Sequence, residues 1–291
     1  MRYPHFLYTE IPNSLASEAF FHVIPVPYER TTSFGKGAAR GPSGILEASG
    51  QLEVWDGWGI PADAGIHTGG PVKVHTPERM VREVAARMRP ALRSGSVPVL
   101  LGGEHTVSVG AWEALAERFG PGEVGIVQID AHADLRDTYE GSRFSHACVM
   151  RRALDHGFRI FQAGVRSLSP EEVALRRELA GSQVFWQDAP ELRKAGATLA
   201  LPPDFPQNVY LTIDVDGFDP SVVWETGTPE PGGLFWYEVL DFIERVAEAH
   251  PIVGFDVVEL APAKGSHVGA FVAARLVYQV MGIVFRHLPR R

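Results

Sequence analysis

The sequence predicts an α/β protein built on a mostly parallel central sheet. Two observations carry that expectation. Apolar, β-branched runs recur along the chain without polar alternation, as strands buried on both faces require. Between them lie stretches of helical periodicity, which is the pattern of βαβ units. The first run starts at Phe21 and covers 21–27. The second, Val97-Pro-Val-Leu-Leu-Gly-Gly, closes on two glycines. The third starts at Val124 and closes on Asp130, and the fourth covers 159–165. The fifth starts at Val209 and closes on Asp214-Val-Asp216, and the last covers 251–257. Helical patterns cover Pro77–Arg93, Val107–Arg118, Pro170–Leu179, Trp236–Ala249 and Val268–Arg286. Periodicity alone leaves two architectures open, a three-layer α/β/α sandwich and an eight-stranded barrel. In both, ligands bind where the strands end.

Composition narrows the function classes. The 291 residues are 45% hydrophobic and 21% charged, so a large core is expected and global disorder is excluded. No repeat or linker divides the chain, which reads as one domain over residues 1–291. The formal net charge of −8 argues against a nucleic-acid partner and suits a cationic ligand. The single cysteine, Cys148, excludes an intrachain disulfide and a thiolate zinc site, and fits a reducing, cytoplasmic setting. The longest apolar stretch, from Gly269 to Phe285, is interrupted by Arg275 and Gln279 and reads as too short and too polar to cross a membrane. No signal-peptide pattern is visible at the N-terminus.

Chemistry concentrates where the runs turn polar. Three strand ends read Gly102-Gly-Glu-His105-Thr, Asp130-Ala-His132-Ala-Asp134 and Asp214-Val-Asp216-Gly-Phe-Asp219-Pro. If Asp130, His132 and Asp134 continue a strand, they share one face, with alanines between them. Three such groups buried together repel and resist desolvation. A divalent cation is the simplest compensation. Asp214 and Asp216 repeat the spacing, and His105 adds an imidazole. Four carboxylates balance two divalent ions, and oxygen-rich ligands without sulfur favour Mn²⁺. Two such ions would share a water and lower its pKa from ~15.7 toward ~7. Asp219, before Pro220, reads as a loop-shaping residue outside this set.

At these residues the sequence resembles the ureohydrolase family of arginases and agmatinases, over nearly its whole length. Besides the three strand ends, the matching segments begin at Pro25, Gly41, Thr226 and Phe255. The resemblance implies the three-layer sandwich and two Mn²⁺ ions. It implies that one ion takes His105, Asp130, Asp134 and Asp214, and the other Asp130, His132, Asp214 and Asp216. Glu259 falls on the family's guanidinium-binding glutamate, and His146 on the histidine credited with proton transfer. Asp134 would also pass a proton. A homotrimer or homohexamer is implied as well.

The substrate is expected to be a small cationic guanidino compound. Where arginases carry an asparagine this chain has Arg136, and where they carry an amine-binding aspartate it has Ser169. The segment from Asp134 to His146 looks like the loop of bacterial and archaeal agmatinases. Agmatine or an N-substituted agmatine is therefore favoured over arginine, in polyamine biosynthesis. Glu104 replaces the family's usual aspartate, keeping a carboxylate. Trp224 and Glu225 depart further from the family. With Thr228 they are expected to line the outer pocket and take a longer amine tail such as that of N1-aminopropylagmatine. Other hydrolases of this fold and a catalytically silent polyamine-binding homologue are the competing readings. Cys148, two residues after His146, reads as a buried structural thiol.

Overall fold

The computed structural model describes residues 3–73, 76–120 and 122–288. Eight strands form one sheet. They are β1 (Phe21–Val26), β2 (Ile66–Thr68), β3 (Val97–Gly102), β4 (Val124–Ile129), β5 (Arg159–Ala163), β6 (Val184–Gln187), β7 (Asn208–Asp214) and β8 (Ile252–Val258). The spatial order is β2-β1-β3-β8-β7-β4-β5-β6, with every pairing parallel. Among the described residues the end strands β2 and β6 do not pair with each other, so the architecture is the open sandwich and not the barrel.

Eight α-helices cover its faces: α1 (Gly41–Ser49), α2 (Pro77–Ser94), α3 (Val109–Arg118), α4 (Val149–Asp155), α5 (Pro170–Glu178), α6 (Ala189–Ala195), α7 (Trp236–Ala249) and α8 (Val268–Arg286). One core joins α1, α7 and α8 to the sheet through Ile45, Leu46, Phe242, Leu276 and Tyr278. The other joins α2, α3 and α4 to the opposite face through Met80, Val84, Trp112 and Met150. By length and mean hydropathy of 1.8, α8 qualifies as a membrane span, which corrects the reading of that stretch as too short. Two-thirds of that apolar window is buried within the fold, against α1 and α7.

Local chemistry explains the boundaries. Pro77 opens α2, and Gly95 closes it in the left-handed conformation. Ser169 caps α5 in a reciprocal box with Glu172. The two strand prolines sit where pairing is one-sided. Pro25 lies past the three residues of β2, and Pro98 comes before β3 begins to pair with β8. The elements that periodicity did not reveal, β2, β6, α1, α4 and α6, are short or lie at sheet edges.

Four neighbouring strands in the middle, β3, β8, β7 and β4, end together on one side of the sheet. Gly102 and Gly103 let β3 turn there. A methyl group on Gly103 would lie 1.9 Å from the Tyr28 carbonyl oxygen, and the backbone on both sides is tied by hydrogen bonds. Gly103→Ala is expected to cost about 3 kcal/mol, at the upper end of overpacking penalties. Denaturant unfolding at constant m-value measures this, and a shift under about 0.5 kcal/mol would show that the turn yields.

Candidate metal centre and active site

The four central strand ends place seven ionisable side chains in one cluster, six of them lining a pocket with Asp130 buried beneath. His105 follows β3 and opens a 3₁₀ turn, Glu259 follows β8, Asp214 ends β7, and Asp216 stands on the 3₁₀ turn Val215–Gly217. Asp130, His132 and Asp134 follow β4. They converge, but not through strand pleating. The chain leaves β4 at Ile129, His132 forms an isolated bridge with Ser167, and Asp134 adopts a left-handed φ of 52°. Glu259 is left-handed as well, at 63°. Such conformations are rare without glycine and concentrate at functional sites.

Asp130 is the pivot. Its Oδ2 lies 3.2 Å from His105 Nδ1, and its Oδ1 lies 3.6 Å from His132 Nδ1. One carboxylate therefore faces one imidazole with each oxygen. His105 Nδ1 is also 3.1 Å from Asp134 Oδ2 and 3.5 Å from Asp214 Oδ2, while His132 Nδ1 is 3.1 Å from Asp216 Oδ2. Two groups, His105–Asp130–Asp134 and Asp130–His132–Asp216, thus share Asp130 and are spaced to hold a metal ion.

The hydrogen bonding of His105 tests the fit. Its Nδ1 is buried, stands among three carboxylates, and has no hydrogen-bond partner in line. Its Nε2 lies 2.8 Å from Thr212 Oγ1, whose hydroxyl donates to Asp256 Oδ1 at 2.7 Å. Thr212 spends its proton on Asp256, so His105 Nε2–H donates to it and Nδ1 is left with a lone pair for a metal. Backbone amides hold the carboxylates. His132 N donates to Asp130 (2.6 Å), Ala131 N to Asp216 (3.0 Å), Asp216 N to Asp214 (3.0 Å) and His105 N to Glu259 (2.6 Å).

Protons take up the charge in the metal-free protein. Burial opposes a charged His132, but Asp130 and Asp216 outweigh it and push its pKa up to about 12. His105 is driven well upward against its burial by Asp130, Asp134 and Asp214. Burial and the neighbouring Asp130 raise Asp134 to about 7, and burial with Asp216 and Asp130 raises Asp214. Burial also lifts Glu259, reinforced by the negative charge of Glu104.

The pocket above these groups has a volume of about 190 Å³ and is also lined by Ser33, Phe34, Gly35, Arg136, Tyr139, His146 and Thr228. Thr228 Oγ1 lies 3.4 Å from Asp216 Oδ2. The His146 ring meets Tyr139 edge to face, and its nitrogens lie 3.4 Å from Thr31 and Ser33 hydroxyls. Burial lowers its pKa, which favours the neutral imidazole. Glu104, fully buried, accepts from Thr31 N, Thr31 Oγ1 and Thr106 Oγ1 and so anchors the loop beneath His146. The Arg136 guanidinium lies over Tyr139. A larger groove of about 770 Å³, between α6 and α7, contains none of the seven ionisable groups.

Not every expected residue reaches the pocket. Glu225 is 2% exposed and turns inward, accepting from Ser266 Oγ and the Gly269 amide at the start of α8. It fixes a helix start and does not line the pocket. Trp224, half exposed, is also outside the pocket lining. Asp219 shapes its loop by accepting from Ser221, Gly232 and Gly233. Cys148 is buried, and burial raises its thiol to about 11. Sequence reasoning missed Gln128, Gln162, Thr212 and Asp256. Each is a fully buried polar residue interrupting an apolar strand, and that interruption was the available signal.

The arrangement of two acidic, imidazole-bearing groups on an open parallel sheet defines a metal-dependent hydrolase class, and relatives agree. The arginase family profile matches residues 19–282, and the chain belongs to that family. It is 41% identical to the N(1)-aminopropylagmatine ureohydrolase of Synechocystis, over 95% of this chain and 92% of that one. It is 36% identical to the enzyme of the same name from Thermus thermophilus, over 91% and 90% of the two chains. The agmatine ureohydrolase of Thermoplasma volcanium superposes with a TM-score of 0.78 at 29% identity, covering 94% of this chain and 93% of that one. The protein is accordingly a hydrolase of amidines.

Metal binding must displace the protons on His105 and His132, so affinity should rise with pH and binding should release protons. Isothermal titration in two buffers of different ionisation enthalpy measures this, and a pH-independent affinity would contradict it. Asp130→Asn should remove the thermal stabilisation that a divalent ion confers, because both groups depend on that carboxylate.

Proposed function

We propose that this protein is a dinuclear manganese hydrolase that releases urea from agmatine or an N-substituted agmatine, such as N1-aminopropylagmatine, in polyamine biosynthesis. The observation that carries the reading is the Asp130 carboxylate, one oxygen toward each imidazole, with Glu259 in the same pocket. His105, Asp130, Asp134 and Asp214 would hold one ion. Asp130, His132, Asp214 and Asp216 would hold the other. When bound, the ions supply an activated water at neutral pH and offset negative charge.

The remaining chemistry belongs to the chain. Glu259 takes the planar guanidinium as a carboxylate partner and orients the carbon to be attacked. Asp134, beside His105 at the edge of the centre, would accept and return a proton. His146, at the pocket wall, relays a proton to the leaving amine. Beyond the guanidinium, the tail passes Phe34, which is 81% exposed, on a segment joined to the 224–228 loop by the Gly35 N to Gly227 O bond. Trp224 on that loop is the candidate contact for a long apolar and cationic tail. The names of the relatives support the amine-bearing substrate. Arg136 departs from the arginase pattern, yet a guanidinium in the pocket wall is also a partner for a carboxylate, which keeps a guanidino acid such as arginine as the second reading. The active form would be a homotrimer or homohexamer, in the cytoplasm.

Urea release by the Mn²⁺-loaded protein from agmatine, N1-aminopropylagmatine and arginine separates these readings. Agmatine or its derivative should exceed arginine in kcat/KM, and the opposite order would favour the guanidino acid. Glu259→Gln should lower kcat/KM about 10²-fold or more, as loss of a buried charge partner does. Trp224→Ala should raise KM for N1-aminopropylagmatine more than for agmatine, and equal effects on both would remove Trp224 from the substrate site.

A further inference from the structure

A row of buried polar side chains crosses the sheet one layer beneath the metal ligands. Asp256, Thr212, Gln128 and Gln162 are register partners on β8, β7, β4 and β5. None is exposed at all. Thr212 stands two residues before Asp214 on β7 and so shares its side of the sheet, and Gln128, its partner on β4, reaches Asp130 directly.

The row has a direction. Arg176 on α5, 3% exposed, donates from Nε to Gln162 Oε1 at 2.8 Å. A guanidinium can only donate, so the oxygen of Gln162 must face it. The Gln162 amide nitrogen is left to donate to Gln128 Oε1 and to the Ala133 carbonyl at 2.7 Å. That fixes Gln128 in turn, and its Nε2 donates to Asp130 Oδ2 at 2.7 Å. Asp188 anchors the far end, accepting from Arg176 with both oxygens at 3.0 Å, and Trp186 lies under the guanidinium. Either glutamine could flip in isolation. The donor-only cation prevents it.

We infer that Arg176, Gln162 and Gln128 form a one-way relay that fixes the rotation of the Asp130 carboxylate, so that one oxygen is presented to each metal position. These are positioning residues, and Arg176 sets the polarity of the relay from two side chains away. The inference rests on the reading of Asp130 as the ligand shared by two ions.

The test is Mn²⁺ binding, read from the loss of the free-ion EPR signal, on the full chain. Wild type should bind two ions. Arg176→Met and Gln128→Met should each weaken binding about 10- to 100-fold, the usual effect of removing a partner behind a metal ligand. Arg176→Lys, which keeps a donor-only cation, should recover most of the loss. Arg176→Met combined with Asp188→Asn should bind as weakly as Arg176→Met alone. Thermal unfolding of the metal-free variants separates lost stability from lost affinity, and Gln128→Met tests the relay without exposing Asp188. Wild-type affinity in folded Arg176→Met or Gln128→Met overturns the relay while leaving the metal centre standing. Recovery of affinity in the double variant also overturns it, because the loss then came from an unpaired Asp188. A wild type that binds no Mn²⁺ overturns the dinuclear reading and this inference with it.

Discussion

Four carboxylates and two imidazoles are sealed into one space at the ends of adjacent parallel strands, and the rest of the molecule is arranged around that concentration of charge. Burial alone would push the carboxylates toward neutrality and the imidazoles away from their cations. The structure opposes this with amides from the turns after β3, β4 and β7. It also tolerates two left-handed non-glycine residues, Asp134 and Glu259, each worth about 1–3 kcal/mol of backbone strain. Protons fill the deficit when no metal is present. A divalent ion does the same work with more charge in less space, and that is why the site reads as a metal centre.

Rigidity and adaptability are divided between sheet and loops. The ligands stand on strand ends whose registers are fixed by two apolar cores. The pocket walls come from 32–35, 136–147 and 227–228, which are loops apart from the 3₁₀ turn that starts at His146. Two buried glutamates anchor the adaptable side. Glu104 holds the Thr31 segment, and Glu225 fixes the start of α8. A fold divided this way can change its substrate through loops while the hydrolytic floor stays constant.

Much of this was legible from residues alone. The six longer apolar runs became strands, because burial on both faces demands unbroken apolar sequence. The short β2 and β6 at the sheet edges were not legible, since three or four residues give no period. The candidate metal ligands announced themselves by chemical improbability at strand ends. Asp130, His132 and Asp134 do not share one face of a pleated strand, because the chain leaves β4 before them and bends. Glu225 misled because an acid beside tryptophan resembles a pocket rim, and only tertiary packing shows that it faces α8. The polar row beneath the site was visible as single interruptions, but which strands lie side by side is a matter of topology. β8, last in sequence, lies between β3 and β7.

That position of β8 also governs timing. As a chain leaves the ribosome, β2-β1-β3 and β7-β4-β5-β6 emerge as two half-sheets with no pairing between them. Only when residues 252–258 are out can the gap between Val99 and Leu211 be filled. Glu259 and α8 arrive with the same stretch. From the emergence of β7 (Asn208–Asp214) until that of β8 (Ile252–Val258), the nascent protein therefore holds two unpaired inner edges, β3 and β7, and such edges are prone to pair with a neighbouring chain. His105 at the end of β3 is brought beside the acidic groups at the ends of β4 and β7 only when β8 is in place, so the centre and the structural keystone are completed in a single late step.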